Sequence, residues 1–376
     1  MAEFLNVMES WDGYEPVGSR FSEAQVAGAI ELLTNAKGVP AHRHRYLLQE
    51  AITTTDFPDL FGYILERDIL ARYKAAIVDW RTYCPVGRMP NFNTGRMHKV
   101  QGNDTRMEKV VEKGEYLVAP MSDSYYSRQV YKYGRQFDIS WEALINDAMD
   151  AMADMPQRFA DAAIRTEAYA VTSLYAAVAG PNGGLFGAPI ADVDGQNVTN
   201  QGVLPLTINN LEATLSLMAA QTDVNGETIA VRGIHLVVPT PLEFTARQIL
   251  TSATKMWTES AGGGAVPYPT TNVLSQVGLQ LHVDPYLQVV DQSGTNDTTW
   301  YLFADPAQGK AMQMDFLTGH EAPEIVMKAS DKVTPSGAPL SAFSGDFATD
   351  NVFYRVRHVL GGTQLDPRFA YAQVGP

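Results

Sequence analysis

The chain has 376 residues, 45% of them hydrophobic and 19% charged, so it is large enough for two or three globular lobes and is not disordered throughout. Its formal net charge of -14 argues against tight phosphate binding by the whole chain, and its single cysteine, Cys84, excludes an intrachain disulfide framework and a cysteine-based zinc site. No apolar run approaches the roughly 20 residues of a membrane span, and the N-terminus has no basic secretory region, so we expect a soluble, intracellular protein without a membrane partner.

The first part of the chain is predicted to be an arm with short helices. Ser22 and Gln25 form a capping-box pattern ahead of an apolar run, which predicts a helix there. A longer helix is predicted from about Leu60 to Ala76, because its apolar residues recur at helical spacing.

Residues 86–127 differ from their surroundings, since they are rich in glycine and charge and have little that could form a core. Some 40 residues without an apolar face are too many for an ordinary connection inside a compact domain. Strands predicted near Arg96–Gln101 and Met107–Val111 would form an isolated two-stranded hairpin, which is marginal alone in water. The segment is therefore either disordered or supported by another chain, and we favour support from a neighbouring chain.

The strongest pattern in the chain lies between residues 130 and 178. Val130–Ile139 alternates as a strand does, and Ser140 caps a long helix whose apolar residues form one stripe. Pro156 is expected to kink this helix or to begin a second segment. Continued to Val178, the helix would span roughly 55 Å at 1.5 Å per residue, so we expect it to cross the molecule as a spine.

A glycine-rich break at residues 180–184 predicts a lobe boundary, after which helices and strands are mixed. Two helices are predicted, Asn209–Ala220 and Pro241–Leu250, together with strands at Gly233–Val238, Gly278–Val283 and Trp300–Ala304. Two closing strands, Val352–Leu360 and Phe369–Val374, are predicted to pair with the strand that precedes the spine helix.

No pattern predicts an enzyme. The chain lacks a phosphate loop, a nucleophile elbow, a zincin helix and an EF-hand calcium loop. His235 lies in an apolar strand and is expected to be a satisfied core histidine. Asp147, Asp150 and Asp154 share one helix face, where a solvated or partner-facing stripe is the usual explanation. We therefore predict no catalytic residue, no cofactor and no metal site.

Six segments carry a resemblance to a known family through their order and spacing: Thr53–Tyr73, Tyr133–Asp147, Arg158–Ala168, His235–Leu250, Trp300–Pro306 and Phe353–Val374. They resemble the major capsid proteins of tailed double-stranded DNA bacteriophages, which share the Hong Kong phage-type capsid fold. Among these, the chain is most similar to the Mu-type head subunits.

The resemblance implies an α+β phage major capsid fold with an arm, an extended β-hairpin loop, a peripheral domain containing the spine helix, and an axial domain. On this chain the parts would be an N-terminal arm at 1–60, peripheral segments at 61–85, 128–180 and 336–376, the extended loop at 86–127, and the axial domain at 181–335. The implied function is a head protein whose copies form hexamers and pentamers of an icosahedral shell around packaged double-stranded DNA.

The resemblance also implies partners and a location. The chain would bind copies of itself, a portal protein and, where they exist, separate scaffolding or decoration proteins, and it would touch packaged DNA by weak, non-specific contact. It would be assembled in the host bacterial cytoplasm and reside in the virion. An encapsulin-type nanocompartment shell is the nearer alternative, and an α+β metabolic enzyme with an unrecognised site is the distant one.

Charge suggests how the loop could bind a neighbour. From Asp138 to Val178 the spine has seven acidic residues and two arginines, so it is net negative. We hypothesise inter-subunit contacts between basic loop residues and the acidic spine stripe of a neighbour, namely Arg96, Lys99, Arg106, Lys109 and Lys113 with Asp147, Asp150 and Asp154. Each exposed pair would contribute only about 0–1 kcal/mol, but several contacts add up in a shell. The alternative is that these charges are merely solvated.

Overall fold

The computed structural model describes residues 69–74, 79–101, 107, 109–110, 112–114, 116, 122–140, 155–257, 268–337, 340 and 344–376. The chain divides into two compact lobes. The first lobe comprises Met1–Ile77, Lys132–Arg165 and Gly319–Val359, and the second comprises Val78–Tyr131, Thr166–Thr318 and Leu360–Pro376. The predicted arm at 1–60 and the first half of the predicted spine helix lie outside the described residues.

The fold is α+β, as predicted. The strands are β1 (Val86–Met89), β2 (Gly95–Gln101), β3 (Ser122–Arg128), β4 (Tyr131–Ser140), β5 (Ala176–Ala177), β6 (Gly180–Pro181), β7 (Ile190–Ala191), β8 (Asn197–Val198), β9 (Gln201–Gly202), β10 (Gly233–Pro239), β11 (Thr254–Trp257), β12 (Tyr268–Thr271), β13 (Gln280–Asp284), β14 (Trp300–Ala304), β15 (Met312–Leu317), β16 (Glu324–Met327), β17 (Asn351–Gln364) and β18 (Ala370–Gln373). The helices are α1 (Met155–Tyr175), α2 (Ile208–Ala219), α3 (Glu243–Thr251), α4 (Leu274–Val277) and α5 (Leu287–Val290), and residues 69–74 are also helical. Short 3-10 turns lie at Asp79–Thr82, Thr240–Leu242 and Pro367–Phe369.

In the first lobe, β17 pairs with β4, and its residues Tyr354–Arg357 run antiparallel to β16. Aromatic side chains cover this sheet: the ring of Phe137 stacks on Phe159 at a centroid distance of 4.6 Å and on Tyr354 at 5.0 Å. The predicted strand before the spine helix is confirmed as β4, and its predicted pairing with the closing strand Val352–Leu360 is confirmed as well.

The second lobe is built on a five-stranded sheet with the order β13-β10-β14-β18-β9. Every residue of the central strand β14 is buried. Alternate side chains of a strand point to opposite faces, so Tyr301 and Phe303 enter one apolar cluster while Trp300, Leu302 and Ala304 enter another. A strand buried on both faces needs an unbroken apolar run, and this run is why β14 was predicted with its observed bounds.

The second lobe also contains a smaller strand arrangement. Here β1 runs parallel to β15, and β15 runs antiparallel to residues 360–364 of β17. Close backbone approach requires glycine at one point, since a Cβ on Gly361 would lie 2.0 Å from the carbonyl oxygen of Gln129.

The predicted helices agree with the structure where it describes them. The predicted helix Asn209–Ala220 is α2, which begins after an N-cap at Thr207 whose side chain accepts a hydrogen bond from the Asn210 amide at 3.2 Å. The predicted helix Pro241–Leu250 is a 3-10 turn followed by α3. Pro156 lies in the first turn of α1, where a missing N–H costs no helical hydrogen bond. No helix among the described residues is both long and apolar enough to cross a membrane.

Two predicted strand pairings are wrong. The partner of β2 is β3 and not Met107–Val111, whose described residues 107, 109 and 110 are not in a strand. The strand predicted at Phe369–Val374 is β18, which pairs with β14 and β9 and not with β4. Because all four residues of β18 are buried, it fits the interior of a sheet that is covered on both faces.

Candidate assembly site

The strands β2 and β3 form an antiparallel hairpin in the second lobe, with Gly95 opposite Arg128 and Gln101 opposite Ser122. Successive side chains alternate between its two faces. The outer face exposes His98, Val100 and Tyr125, whereas Lys99 and Tyr126 point inward, towards their own lobe. The two faces therefore have different environments.

Lys99 belongs to a cluster of five charged side chains, which we call the ionic anchor: Lys99, Asp192, Asp194, Asp366 and Arg368. The Lys99 ammonium lies 2.6 Å from a carboxylate oxygen of Asp192, 2.7 Å from one of Asp366 and 3.5 Å from one of Asp194. The Arg368 guanidinium lies 2.7 Å from Asp194 and 3.2 Å from Asp366. The anchor thus joins the inner face of the hairpin to two other segments of the same chain.

The ionic anchor is largely shielded from solvent. The side chains of Asp192 and Asp194 are 1% and 2% exposed, that of Arg368 is 4% exposed, and that of Lys99 is 20% exposed. Burying unpaired charges at this depth would cost several kcal/mol per ion, so each carboxylate lies against at least one cation. The hydroxyl of Tyr126 also donates a hydrogen bond to Asp192 at 2.8 Å.

The pKa shifts have the sense expected for tight ion pairing. Burial favours a lower pKa for Lys99, but the carboxylates of Asp366 and Asp192 outweigh it, and the pKa lies above its ordinary value. Burial favours a higher pKa for Asp194, yet hydrogen bonds from Arg368 and from the amide of Gln196 lower it to about 2. Both groups are therefore charged at neutral pH.

Two tight turns position the carboxylates. Asp192 and Asp194 lie in the turn between β7 and β8, where Gly195 has a φ of +80° and the Asp194 side chain accepts the Gln196 amide at 3.1 Å. Asp366 caps the 3-10 turn Pro367–Phe369 by accepting the Arg368 amide at 3.0 Å. Each carboxylate thus uses one oxygen to fix its own turn and the other in the ionic anchor.

A second ion pair holds the base of the hairpin. The Arg128 guanidinium at the end of β3 lies 3.2 Å from Asp315 on β15, whose side chain is fully buried. Asp315 also accepts a hydrogen bond from the side-chain amide of Gln313 at 2.7 Å. On the parallel strand β1, a Cβ on Gly87 would come within 2.1 Å of the Asp315 carboxylate, so the glycine makes room for this pair.

The structure places the predicted contact residues in different environments. Lys99 is engaged by its own chain, and the Arg96 guanidinium lies 4.4 Å above the Tyr125 ring. Lys109 and Lys113 are exposed. The other four predicted contact residues lie outside the described residues: Arg106, Asp147, Asp150 and Asp154. The inter-subunit role of all eight stays a prediction, and for Lys99 the structure adds competing partners within the chain.

The expectation that the hairpin finds no support in its own chain is wrong for β2 and β3. Three inward side chains, those of Lys99, Tyr126 and Arg128, make hydrogen bonds to other segments of the second lobe. The sequence did not reveal this support because its partners are remote: Lys99 and Asp366 are 267 residues apart. The turn-forming Asp-Val-Asp-Gly and Asp-Pro-Arg stretches were the available signal, and they predict turns and not partners.

Apolar side chains are exposed farther along the hairpin. Val100 on the outer face is 60% exposed and Tyr116 is 84% exposed, while Met107 is fully exposed. In the part of the chain that the structure describes, no group of three or more histidine, cysteine or acidic residues could hold a metal ion. The site is consequently one of charge pairing and exposed apolar surface.

Comparison with known proteins identifies one protein family. A family model described as phage capsid protein matches residues 125–373, about two thirds of the chain. No curated protein matches. The chain is similar to a solved structure from Gordonia phage Cozz, with 11% identity and a TM-score of 0.46 over 78% of this chain and 84% of that one. It is also similar to the capsid structure of cyanophage P-SCSP1u, with 10% identity and a TM-score of 0.45 over 80% of this chain and 88% of that one.

Proposed function

The chain belongs to the phage capsid protein family, and from this membership we propose that its copies assemble as hexamers and pentamers of an icosahedral shell around double-stranded DNA. A member of this family is a shell-building structural protein of the virion and not an enzyme. The observation that carries the proposal is the family match itself, which runs from β3 to β18. No observation favours the encapsulin or the metabolic enzyme. Membership of the Mu-type branch stays a prediction.

Within that function, the hairpin is the segment that contacts a neighbouring subunit. Its inner face is occupied by the ionic anchor, which supports a fixed direction relative to its own lobe. Its outer face and farther residues expose Val100, Met107 and Tyr116. We take these three side chains as ones that a neighbouring subunit covers. We infer that the inner face positions the hairpin on its own lobe and that the outer residues contact the neighbouring subunit.

Further partners follow from the same proposal. A portal protein would occupy one vertex, and scaffolding or decoration proteins would be separate chains. Contact with packaged DNA would be weak and non-specific, because the net charge of -14 disfavours phosphate binding. Assembly would take place in the host bacterial cytoplasm.

Electron microscopy of the purified full-length chain tests the shell. We expect closed particles with fivefold and sixfold clusters of subunits in negative stain. A chain that remains monomeric across a range of salt and protein concentrations, with or without co-expressed partner proteins from its own genome, would overturn the proposal.

Charge reversal tests the contact of the hairpin with a neighbouring spine. The double variant Lys109→Glu/Lys113→Glu should reduce shell yield several-fold at low salt, because repulsion replaces attraction across the interface. A matched control with the same charge change, Lys132→Glu/Arg135→Glu, reverses two exposed basic residues outside the hairpin and should assemble normally.

A rescue experiment then identifies the partner stripe. Adding Asp147→Lys and Asp150→Lys to the double hairpin variant should restore yield if these charges meet across the interface. Normal shell yield of the double hairpin variant at low salt would instead show that the hairpin charges are only solvated.

A further inference from the structure

Two histidines lie side by side within the sheet of the second lobe. His235 on β10 and His282 on the adjacent parallel strand β13 are both almost completely buried. The Nδ1 atom of His235 lies 3.0 Å from the Nε2 atom of His282, which is a hydrogen-bond distance. The shell function gives neither residue a role.

The remaining groups around the pair come from two other segments. The Nδ1 atom of His282 lies 3.7 Å from the carboxylate of Asp79 and has no hydrogen-bond partner among the described residues. The ring of Tyr83 packs on both imidazoles, with centroid distances of 6.4 Å to His235 and 5.2 Å to His282. Asp305, which follows β14, acts on His235 through its charge. The pair therefore faces two carboxylates and one phenol.

Tyr83 connects the pair to a further buried network. Its hydroxyl interacts with Tyr175 of α1, which donates a hydrogen bond to Asp284 of β13. Burial raises the pKa of Tyr83 and of Tyr175 well above the ordinary value, so both phenols stay neutral. Burial also raises the pKa of the Asp284 carboxyl in this network. The histidines are the groups of the network whose ordinary pKa lies near neutral pH.

The neighbours determine where the protons lie. We assign the neutral pair the tautomers in which Nδ1 of His235 donates to Nε2 of His282, because the hydrogen of His282 then lies on Nδ1, beside the Asp79 carboxylate. One added proton leaves a single hydrogen between the rings and is compatible with the same geometry. A second added proton would place two N–H groups and two positive charges against each other at 3.0 Å, and the pair must then separate.

We propose that the His235–His282 pair is a pH-sensitive contact. It holds the segment Asp79–Cys84 against β10 and β13 at neutral pH and releases this segment in acid. This segment leads directly into β1 and from there to the hairpin strand β2. Its release would loosen the base from which the hairpin extends. The proposal does not depend on shell formation, since it concerns the interior of a single lobe.

The pH direction follows from the burial of the two imidazoles. Burial lowers the pKa of both histidines; the neighbouring ring lowers that of His235 further, while Asp79 partly offsets the effect of burial on His282. A folded pKa below the unfolded value of about 6.5 means that stability is fully present above that pH and is lost as the pH falls below it. Each histidine can change the local opening equilibrium by up to about tenfold per pH unit.

Histidine hydrogen–deuterium exchange on the intact full-length protein measures the titration of each imidazole directly. We expect midpoints below about 6.5 for His235 and His282. Backbone amide protection of residues 79–84, corrected for intrinsic exchange, should fall at least several-fold between pH 7.5 and pH 5. Midpoints at or above the ordinary value, or protection that does not change, would overturn the proposal.

Two variants distinguish titration of the histidine pair from acid destabilisation of the protein as a whole. His282→Gln keeps a hydrogen-bonding group beside His235 but takes up no proton, so the pH dependence of protection should fall by half or more. Asp79→Asn removes the offsetting carboxylate and should enlarge the acid loss. His98→Gln, at an exposed position in the same lobe, should behave as the unchanged protein. If His282→Gln does not fold, the Asp79→Asn variant and the titration of the unchanged protein still test the role of the histidine pair.

Discussion

The central sheet of the second lobe and the β2–β3 hairpin are held by opposite means. The sheet is buried on both faces, and its side chains enter two apolar clusters. The hairpin has one exposed face, and its inner face is tied by the ionic anchor and the Arg128–Asp315 pair. Apolar burial is non-directional and dominates stability, whereas a buried ion cluster adds little net stability but selects one geometry. The sheet therefore sets how stable the lobe is, and the ions set where the hairpin lies.

The largest effect is expected from removing an aromatic ring from the sheet. Phe303→Ala should lower the free energy of unfolding by about 3–5 kcal/mol, because it removes buried apolar area and leaves a cavity. Phe244→Ala removes the same ring at a position that is 80% exposed, and it should change stability by less than about 0.5 kcal/mol. Urea denaturation of both variants measures the difference, and equal losses would contradict a sheet that is stabilised by burial.

A smaller effect is expected from removing the lysine of the ionic anchor. Lys99→Met leaves three carboxylates with Arg368 alone, and it should cost about 1–3 kcal/mol. The loss should appear as faster amide exchange in β2 and β3, with β14 unchanged. Arg96→Met removes a cation from the exposed face of the same strand and is the control, expected to cost less than about 1 kcal/mol.

A double-mutant cycle sharpens this test. Adding Asp366→Asn to Lys99→Met removes one of the three carboxylates that the first change left to share Arg368. The combined loss should be smaller than the sum of the two single losses by at least about 0.5 kcal/mol. Additive losses would show that the two side chains lie close together without stabilising each other.

The smallest effect is a loosening of the hairpin in strong acid. The pKa of Asp194 is lowered to about 2 in the folded protein, against about 3.9 in an unfolded chain, so its contribution is complete above about pH 4 and is lost as the pH falls through 2. Pepsin cleavage within residues 86–127 should increase over this range. Asp194→Asn should flatten that increase, and a steep rise that persists in the variant would assign it to other groups.

The same contrast explains which parts of the structure could be predicted from the sequence. The run Trp300–Ala304 predicted β14 because a strand that is buried on both faces consists of consecutive apolar residues. β15 was missed because buried Gln313 and Asp315 interrupt its apolar run, and the cation that pairs with Asp315 is the distant Arg128. A local sequence pattern does not identify a charged partner that is distant along the chain. For this reason β2 was paired with the wrong strand in the prediction, and the ionic anchor was not predicted.

The ionic anchor also has a consequence for the timing of biosynthesis. Lys99 leaves the ribosome 267 residues before Asp366, and Arg368 follows Asp366. Closing so long a loop is entropically unfavourable and slow to reach. A nascent chain therefore carries a hairpin that is not yet fixed, and its translation must pass Arg368 before the hairpin is held in place.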